Sequence, residues 1–179
     1  MDSQKRSAVV TRLARQLRNS GSWCGETHLQ KSVFLLQELA GVDTGYDFIL
    51  YKHGPFSFDL RDELTSMRGD GLLELVPQSP PYGPKLKPTA QSKEHEASFP
   101  KTLSRYADRI KFVTDTVADR GVAELERLAT ALWVTRQESQ DCSIKERAEE
   151  LHNIKPHVSL EQAKEALQEI DELLAAVPS

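Results

Sequence analysis

A long apolar helix pattern, followed within a few residues by a strand pattern broken at Gly-Pro, restricts most of what this chain can become. From Thr27 the sequence reads T-H-L-Q-K-S-V-F-L-L-Q-E-L-A-G. Leu29, Val33, Leu36, Leu39 and Ala40 recur at helical spacing, and Phe34 and Leu35 widen the stripe. A helix apolar over so much of its circumference belongs in a core. Thr27 is the expected N-cap and Gly41 the expected stop. His28, Gln30 and Lys31 then fall near the N-terminal end, and the lone His28 reads as a surface or helix-end residue, not a metal ligand.

Tyr46 to Tyr51 alternates as a short strand. Lys52-His53-Gly54-Pro55 reads as a sharp turn, because Gly tolerates positive φ and Pro fixes its own. Ser57 is placed to cap a helix whose Leu60, Leu64 and Met67 face inward. Leu72–Val76 and Lys85–Pro88 pair as a hairpin around the loop Q-S-P-P-Y-G-P. Ahead of all this, Ser3 opens a helix to about Arg18, with Val9, Leu13 and Leu17 on one face. Arg12, Arg15 and Arg18, with Lys5 and Arg6, lie toward other faces, as a solvated stripe or a contact for phosphate or a carboxylate-rich partner.

The second half reads as helices. Thr89 to Ser98 is polar enough for a linker, and Pro100 suits the first turn of the next helix. Leu103, Tyr106, Ile110, Val113 and Val117 give that helix its stripe. Another spans Ala123 to about Arg136. Ser143-x-x-Glu146 and Ser159-x-x-Gln162 are capping-box patterns that open two more. The expected fold is mainly α with a small antiparallel β-wing. It divides into a winged-helix-like domain over 1–90 and a C-terminal helical region over 91–179 packed on it.

The order L-Q-K-S-V-F-L-L-Q, then Y-K-H-G-P-F-S-F-D-L-R-D-E-L, then G-D-G-L-L-E-L resembles the YwgA-like proteins of bacteria. It is also similar to the related Panacea domain, called SocA-like or GepA-like. The tail, A-E-L-E-R-L-A-T-A-L-W-V and L-H-N-I-K-P-H-V-S-L-E-Q-A-K-E-A-L, looks like the YwgA-like C-terminal half. The resemblance covers roughly residues 25–172, and His53 stands where an aromatic residue usually precedes Gly-Pro. It implies a module that neutralises a toxin by direct contact, or a protease adaptor, in phage-defence or toxin–antitoxin neighbourhoods. It implies no catalytic set.

The residues themselves offer little chemistry. Cys24 sits in W-C-G-E-T-H beside Glu26 and His28, which invites comparison with a nucleophile–base pair. No nucleophile-elbow pattern surrounds it, and Cys24 and Cys142 have no CxxC spacing. No phosphate-cradling glycine motif occurs, and the five histidines show neither HxxxH nor HExxH spacing. No cofactor or metal is expected.

Net charge is -4, which speaks against a general polyanion binder. Residues 1–90 carry 11 Lys/Arg against 10 Asp/Glu, and residues 91–179 carry 12 against 17. Any nucleic-acid contact would therefore sit in the first half. It would use Arg61 and Arg68 on the helix after the Gly-Pro turn, with Lys85 and Lys87 on the wing. Asp59, Asp62 and Glu63 on the same helix oppose that use, and the two lysines also read as edge-strand protection.

Phe56, Phe58 and Tyr82, with Lys52 and His53 on the turn, are the candidates for contact with a protein. Phe56 and Phe58 have an alternative role in closing the core. The leading expectation is a non-enzymatic interaction module whose partner is a toxin or defence component. A winged-helix DNA-binding regulator is the alternative, and a second copy of the chain is a possible partner. With no apolar leader and no run of the ~20 apolar residues a span needs, a cytoplasmic location is expected.

Overall fold

The computed structural model describes residues 1–137 and 142–178. The chain is mainly helical with two small antiparallel hairpins. Helix α1 (Ser3–Asn19) is followed by α2 (Glu26–Glu38), then strands β1 (Ile49–Tyr51) and β2 (Gly54–Phe56). Helix α3 (Phe58–Gly69) leads into β3 (Leu73–Val76) and β4 (Lys85–Pro88). The remainder is α4 (Ala90–Ala97), α5 (Pro100–Arg105), α6 (Ala107–Val117), α7 (Val122–Gln137), α8 (Ile144–Ile154) and α9 (Leu160–Ala176).

Helix α2 lies at the centre, packed on α7 and α6. Leu29, Val33, Phe34, Leu35 and Leu36 are all at most 1% exposed, as the breadth of the apolar stripe requires. Each such side chain contributes ~1.5–3 kcal/mol through burial. One apolar cluster runs from Leu13 and Leu17 of α1 through Ile110 and Val113 of α6 to Leu167 and Ile170 of α9. The core is thus continuous across residue 90.

Several boundaries differ from the sequence expectation. Asp2, not Ser3, caps α1 by accepting from Lys5 N. Helix α2 begins one residue before Thr27, with Gly25 at the N-cap and no side chain capping that end. Only Ile49–Tyr51 of the Tyr46–Tyr51 stretch pairs as a strand, although Tyr46 and Phe48 do face inward. The polar stretch after Thr89 is a helix. Thr89 caps it, and the buried Ser92 and Glu96 face α1. There Glu96 accepts from Arg12 at 2.7 Å and from Arg15 at 3.0 Å. Two of the three arginines that read as a solvated stripe are therefore tethered to a buried carboxylate. The helix expected from Pro100 breaks at Tyr106 into α5 and α6. Both capping boxes form, at Ser143–Glu146 and Ser159–Gln162.

The two hairpins belong to separate two-stranded sheets. β3 pairs with β4 in the register Leu73↔Pro88 to Val76↔Lys85, and residues 77–84 form its tip. A single bridge, Gly25↔Lys85, joins the α1–α2 connection to the outer edge of β4, and Leu86 N donates to Cys24 O at 2.9 Å. β1 pairs with β2 from Ile49↔Phe56 to Tyr51↔Gly54. The Gly-Pro dipeptide thus opens a strand, and Lys52-His53 makes the turn.

Candidate functional site

Gly54 sits at φ +81°, which closes the turn as glycine does where a left-handed residue follows a tight hairpin bend. Space demands glycine as well, since a Cβ there would lie 2.8 Å from Thr130 Oγ1 of α7. Three side chains hold the backbone of this hairpin. Gln30 donates to Ser57 O at 2.9 Å and accepts from Ser57 N at 3.0 Å. Lys31 Nζ donates to Pro55 O at 2.6 Å. Lys155, just past α8, donates to Lys52 O at 2.7 Å and to Glu126 Oε1 at 2.5 Å.

The polar residues of α2 are therefore not at the surface. Gln30 is fully buried and Lys31 is 1% exposed. Burial lowers the Lys31 pKa to about 8; Glu126 partly opposes that shift and Lys155 adds to it. Burial alone would raise the Glu126 pKa, but the Lys155 hydrogen bond and charge outweigh it, and the net shift is downward. His53 adds to this from 3.4 Å. The L-Q-K and H-G-P motifs thus form one unit, in which α2 side chains bind hairpin backbone.

What the hairpin presents is aromatic. Tyr51, Phe56 and Phe58 are in mutual ring contact, with centroids 5.1–5.8 Å apart. Tyr51 is 46% and Phe58 39% exposed, and Phe56 is half-buried. The cluster lies outside the buried core, so Phe58 does not close the core over the turn. Lys52 and His53 are exposed beside it. Arg61 lies over the Phe58 ring, its Cζ 5.0 Å from the centroid.

Arg61 also borders a cleft of about 440 Å³ between α3, the start of α2 and the β3–β4 tip. Leu64, Leu75, Leu86 and Val122 supply apolar wall, and Trp23 and Tyr82 stand together at 5.0 Å between ring centroids. Tyr82 is 63% exposed. The aromatic hairpin, Arg61 and the cleft thus follow one another along the protein surface.

His28 lines this cleft in the first turn of α2, as its helix-end reading has it, but is 3% exposed and so not a surface residue. The end of α6 packs on this end of the helix, where spacing alone shows no cover. Nε2 lies 3.3 Å from Val117 O, and Nδ1 has no partner among the described residues. Burial lowers the pKa of the ring, and the Val117 carbonyl partly offsets this.

Cys24, Glu26 and His28 do not converge. Cys24 is fully buried, with Sγ 3.8 Å from Ala14 O on α1, and is not part of the cleft lining. Burial raises its thiol pKa to about 12, the reverse of what activates a nucleophile. Glu26 is exposed at the cleft. Among the described residues no group of three His, Cys, Asp or Glu is placed to hold a metal, and no helix is long and apolar enough to cross a membrane.

Of the four cations proposed for nucleic acid, three are engaged within the chain. Arg61 pairs with Asp62 at 3.0 Å, Lys87 with Glu74 at 2.6 Å, and Lys85 sits 4.0 Å over the Trp23 ring. Arg68 is exposed, with no ion pair among the described residues. Sequence reasoning missed Tyr51, Trp23 and Leu75 as surface groups. The period-2 alternation of Tyr46–Tyr51 did carry a signal for Tyr51, since it faces opposite to the buried Tyr46 and Phe48.

No protein-family model matches this chain, and no curated protein matches it.

Proposed function

We propose that this chain is a non-enzymatic protein-interaction module, antitoxin-like or adaptor-like, acting in the bacterial cytoplasm. It docks a protein partner through the β1–β2 hairpin and the neighbouring β3–β4 tip. The observation that carries this reading is the Tyr51–Phe56–Phe58 cluster, three rings in contact yet largely outside the core. Rigid aromatic groups flanked by charge dominate binding energy at protein interfaces. Lys52, His53 and Arg61 provide such a border. The order of α1, the Gly25 bridge, α2, α3 and the β3–β4 hairpin supports a winged-helix-like description, with β1–β2 inserted before α3. The resemblance to YwgA-like and Panacea domains supports a partner that is a toxin or defence component.

A DNA-binding regulator is the second reading, and Arg68 on the exposed face of α3 is what favours it. With the other three cations engaged and Asp59, Asp62 and Glu63 on the same helix, it gains less support than the protein reading. The test is affinity capture from the native host with wild type, Tyr51→Ala and Phe58→Ala side by side. A partner should copurify with wild type and be lost with both variants while their melting temperatures stay near wild type. Retention of the partner by both variants overturns the reading. Salt-sensitive DNA binding that Arg68→Glu abolishes would establish the alternative.

A further inference from the structure

Strand β1 has an open outer edge. We propose that this edge pairs with the same edge of a second copy of the chain, antiparallel about Leu50, so that two hairpins make one four-stranded sheet. The other strands are covered: β2 packs on α2 and α7, β3 packs on α3, and Gly25 bridges the outer edge of β4. The principal contact of β1 is with β2. Pro55 stands opposite Leu50, has no N–H, and turns its carbonyl to Lys31 Nζ of α2. The hydrogen-bonded pairs of the hairpin are therefore Ile49 with Phe56 and Tyr51 with Gly54. By the same alternation the Leu50 N–H and C=O point away from β2. Among the described residues neither bonds to a group outside the hairpin. Ile49 and Tyr51 are 43% and 46% exposed, and Leu50 is half-buried. No lysine, proline or bulge interrupts Ile-Leu-Tyr, although such features ordinarily keep an edge from pairing.

A second copy fits better than a foreign strand because the edge is complementary to itself. Antiparallel pairing centred on Leu50 lets the two Leu50 residues exchange N–H···O bonds. It sets Ile49 opposite Tyr51 of the second copy, and Tyr51 opposite Ile49 of that copy. These side chains share the outer face of the hairpin with Phe56, so two exposed apolar pairs come into contact. Farther along, Asp47 reaches the Lys52-His53 turn of the second copy. Asp47 and Lys52 are both exposed, and neither has an ion pair among the described residues. Parallel alignment in register would set Asp47 against Asp47 instead, which is unfavourable. A two-fold arrangement also uses one patch twice and closes on itself. Its axis passes through the sheet at Leu50, so the rings of both copies face the same side. Pairing at the edge leaves that face free for the protein partner proposed above, and does not depend on that reading.

Sedimentation velocity of the purified full chain, from micromolar to submillimolar concentration, tests the pairing. The mass should climb from 20.1 kDa toward twice that value as concentration rises. Leu50→Pro removes the N–H at the centre of the register and none that β2 uses, and should weaken association about tenfold. Ile49→Lys, at an exposed position, should do the same, and it decides the matter if Leu50→Pro fails to fold. Leu50→Cys treated with a short bis-maleimide should give covalent dimer well above the wild-type background from Cys142. A chain that stays at 20.1 kDa throughout overturns the proposal. So does association that Ile49→Lys leaves unchanged, or a Leu50→Cys variant that crosslinks no better than wild type. A Leu50 amide that exchanges freely in the pure protein and is protected only in complex with a captured partner would assign the edge to a foreign strand, and equally overturns it. Tyr51 and Phe58 are unchanged in these variants, so failure here leaves the capture experiment to be judged by itself.

Discussion

Lys31 Nζ donates to the carbonyl oxygen of Pro55 across 2.6 Å, although the two residues are 24 apart in sequence and Lys31 is 1% exposed. Burial holds the Lys31 pKa near 8, below the ordinary value of 10.5. The unfolded chain therefore binds more protons than the folded one through that interval, so stability rises with pH across it. The expected gain is ~1 kcal/mol between pH 8 and 9. The buried Cys24 thiol, its pKa raised, contributes with the opposite sign over the same window, so the urea midpoint of wild type should rise relative to that of Lys31→Met. Profiles of wild type and Lys31→Met that run parallel would remove the basis for treating Lys31 as a cation destabilised by burial.

Gly54→Ala should destabilise the protein by ~2–4 kcal/mol, since it combines a positive φ with a Cβ placed 2.8 Å from Thr130 Oγ1. Thr130→Ala in the same chain should recover the steric part and leave the conformational part. Thermal unfolding of the single and double variants measures both. A double variant no more stable than Gly54→Ala would mean that the contact with α7 is unimportant.

His28 has a folded pKa lowered by burial, so the unfolded state takes up its proton first as pH falls. Its stabilising contribution is complete above about pH 6.5 and is lost below that value. Wild type should lose stability on acidification more steeply than His28→Gln, and the difference between the two urea midpoints reports this group alone. Parallel profiles would place His28 in contact with water.

Cys24, with a thiol pKa raised to about 12 and no exposure, should resist alkylation in the folded state at about pH 8. Cys142, which is half-buried, should react first. Mass spectrometry should find modification at both only after denaturation. Rapid native labelling of Cys24 would reopen the question of a reactive thiol.

Much of the scaffold was legible because it rests on local rules. Ser57, Ser143 and Ser159 are caps in the sequence and caps in the fold, each accepting from the amide three residues on. The inward positions Leu60, Leu64 and Met67 follow from spacing alone. What escaped depends on partners distant in sequence. Lys31 and Gln30 look like surface residues until Pro55 and Ser57 are brought to them. Arg12 and Arg15 look solvated until α4 delivers Glu96. The polar run after Thr89 looked like a linker because a helix that contributes two buried polar groups leaves little apolar periodicity. For the candidate site, Tyr82, Phe56 and Phe58 were visible as aromatic residues in turns. The cleft was not visible, because it needs α2, α3 and the β3–β4 tip to meet.

The clasp of Gln30, Lys31 and Lys155 on hairpin main chain bears on the kinetics of recognition. With carbonyls 52, 55 and 57 each fastened to a side chain from outside the hairpin, the two rings it bears, Tyr51 and Phe56, and that of Phe58 at the start of α3 are preorganised. A protein partner docked there, as proposed, would meet a finished die rather than a segment that must be moulded, and little ordering entropy would oppose the encounter. Affinity differences among variants of this surface should consequently be felt in how long complexes last, while rates of capture change little.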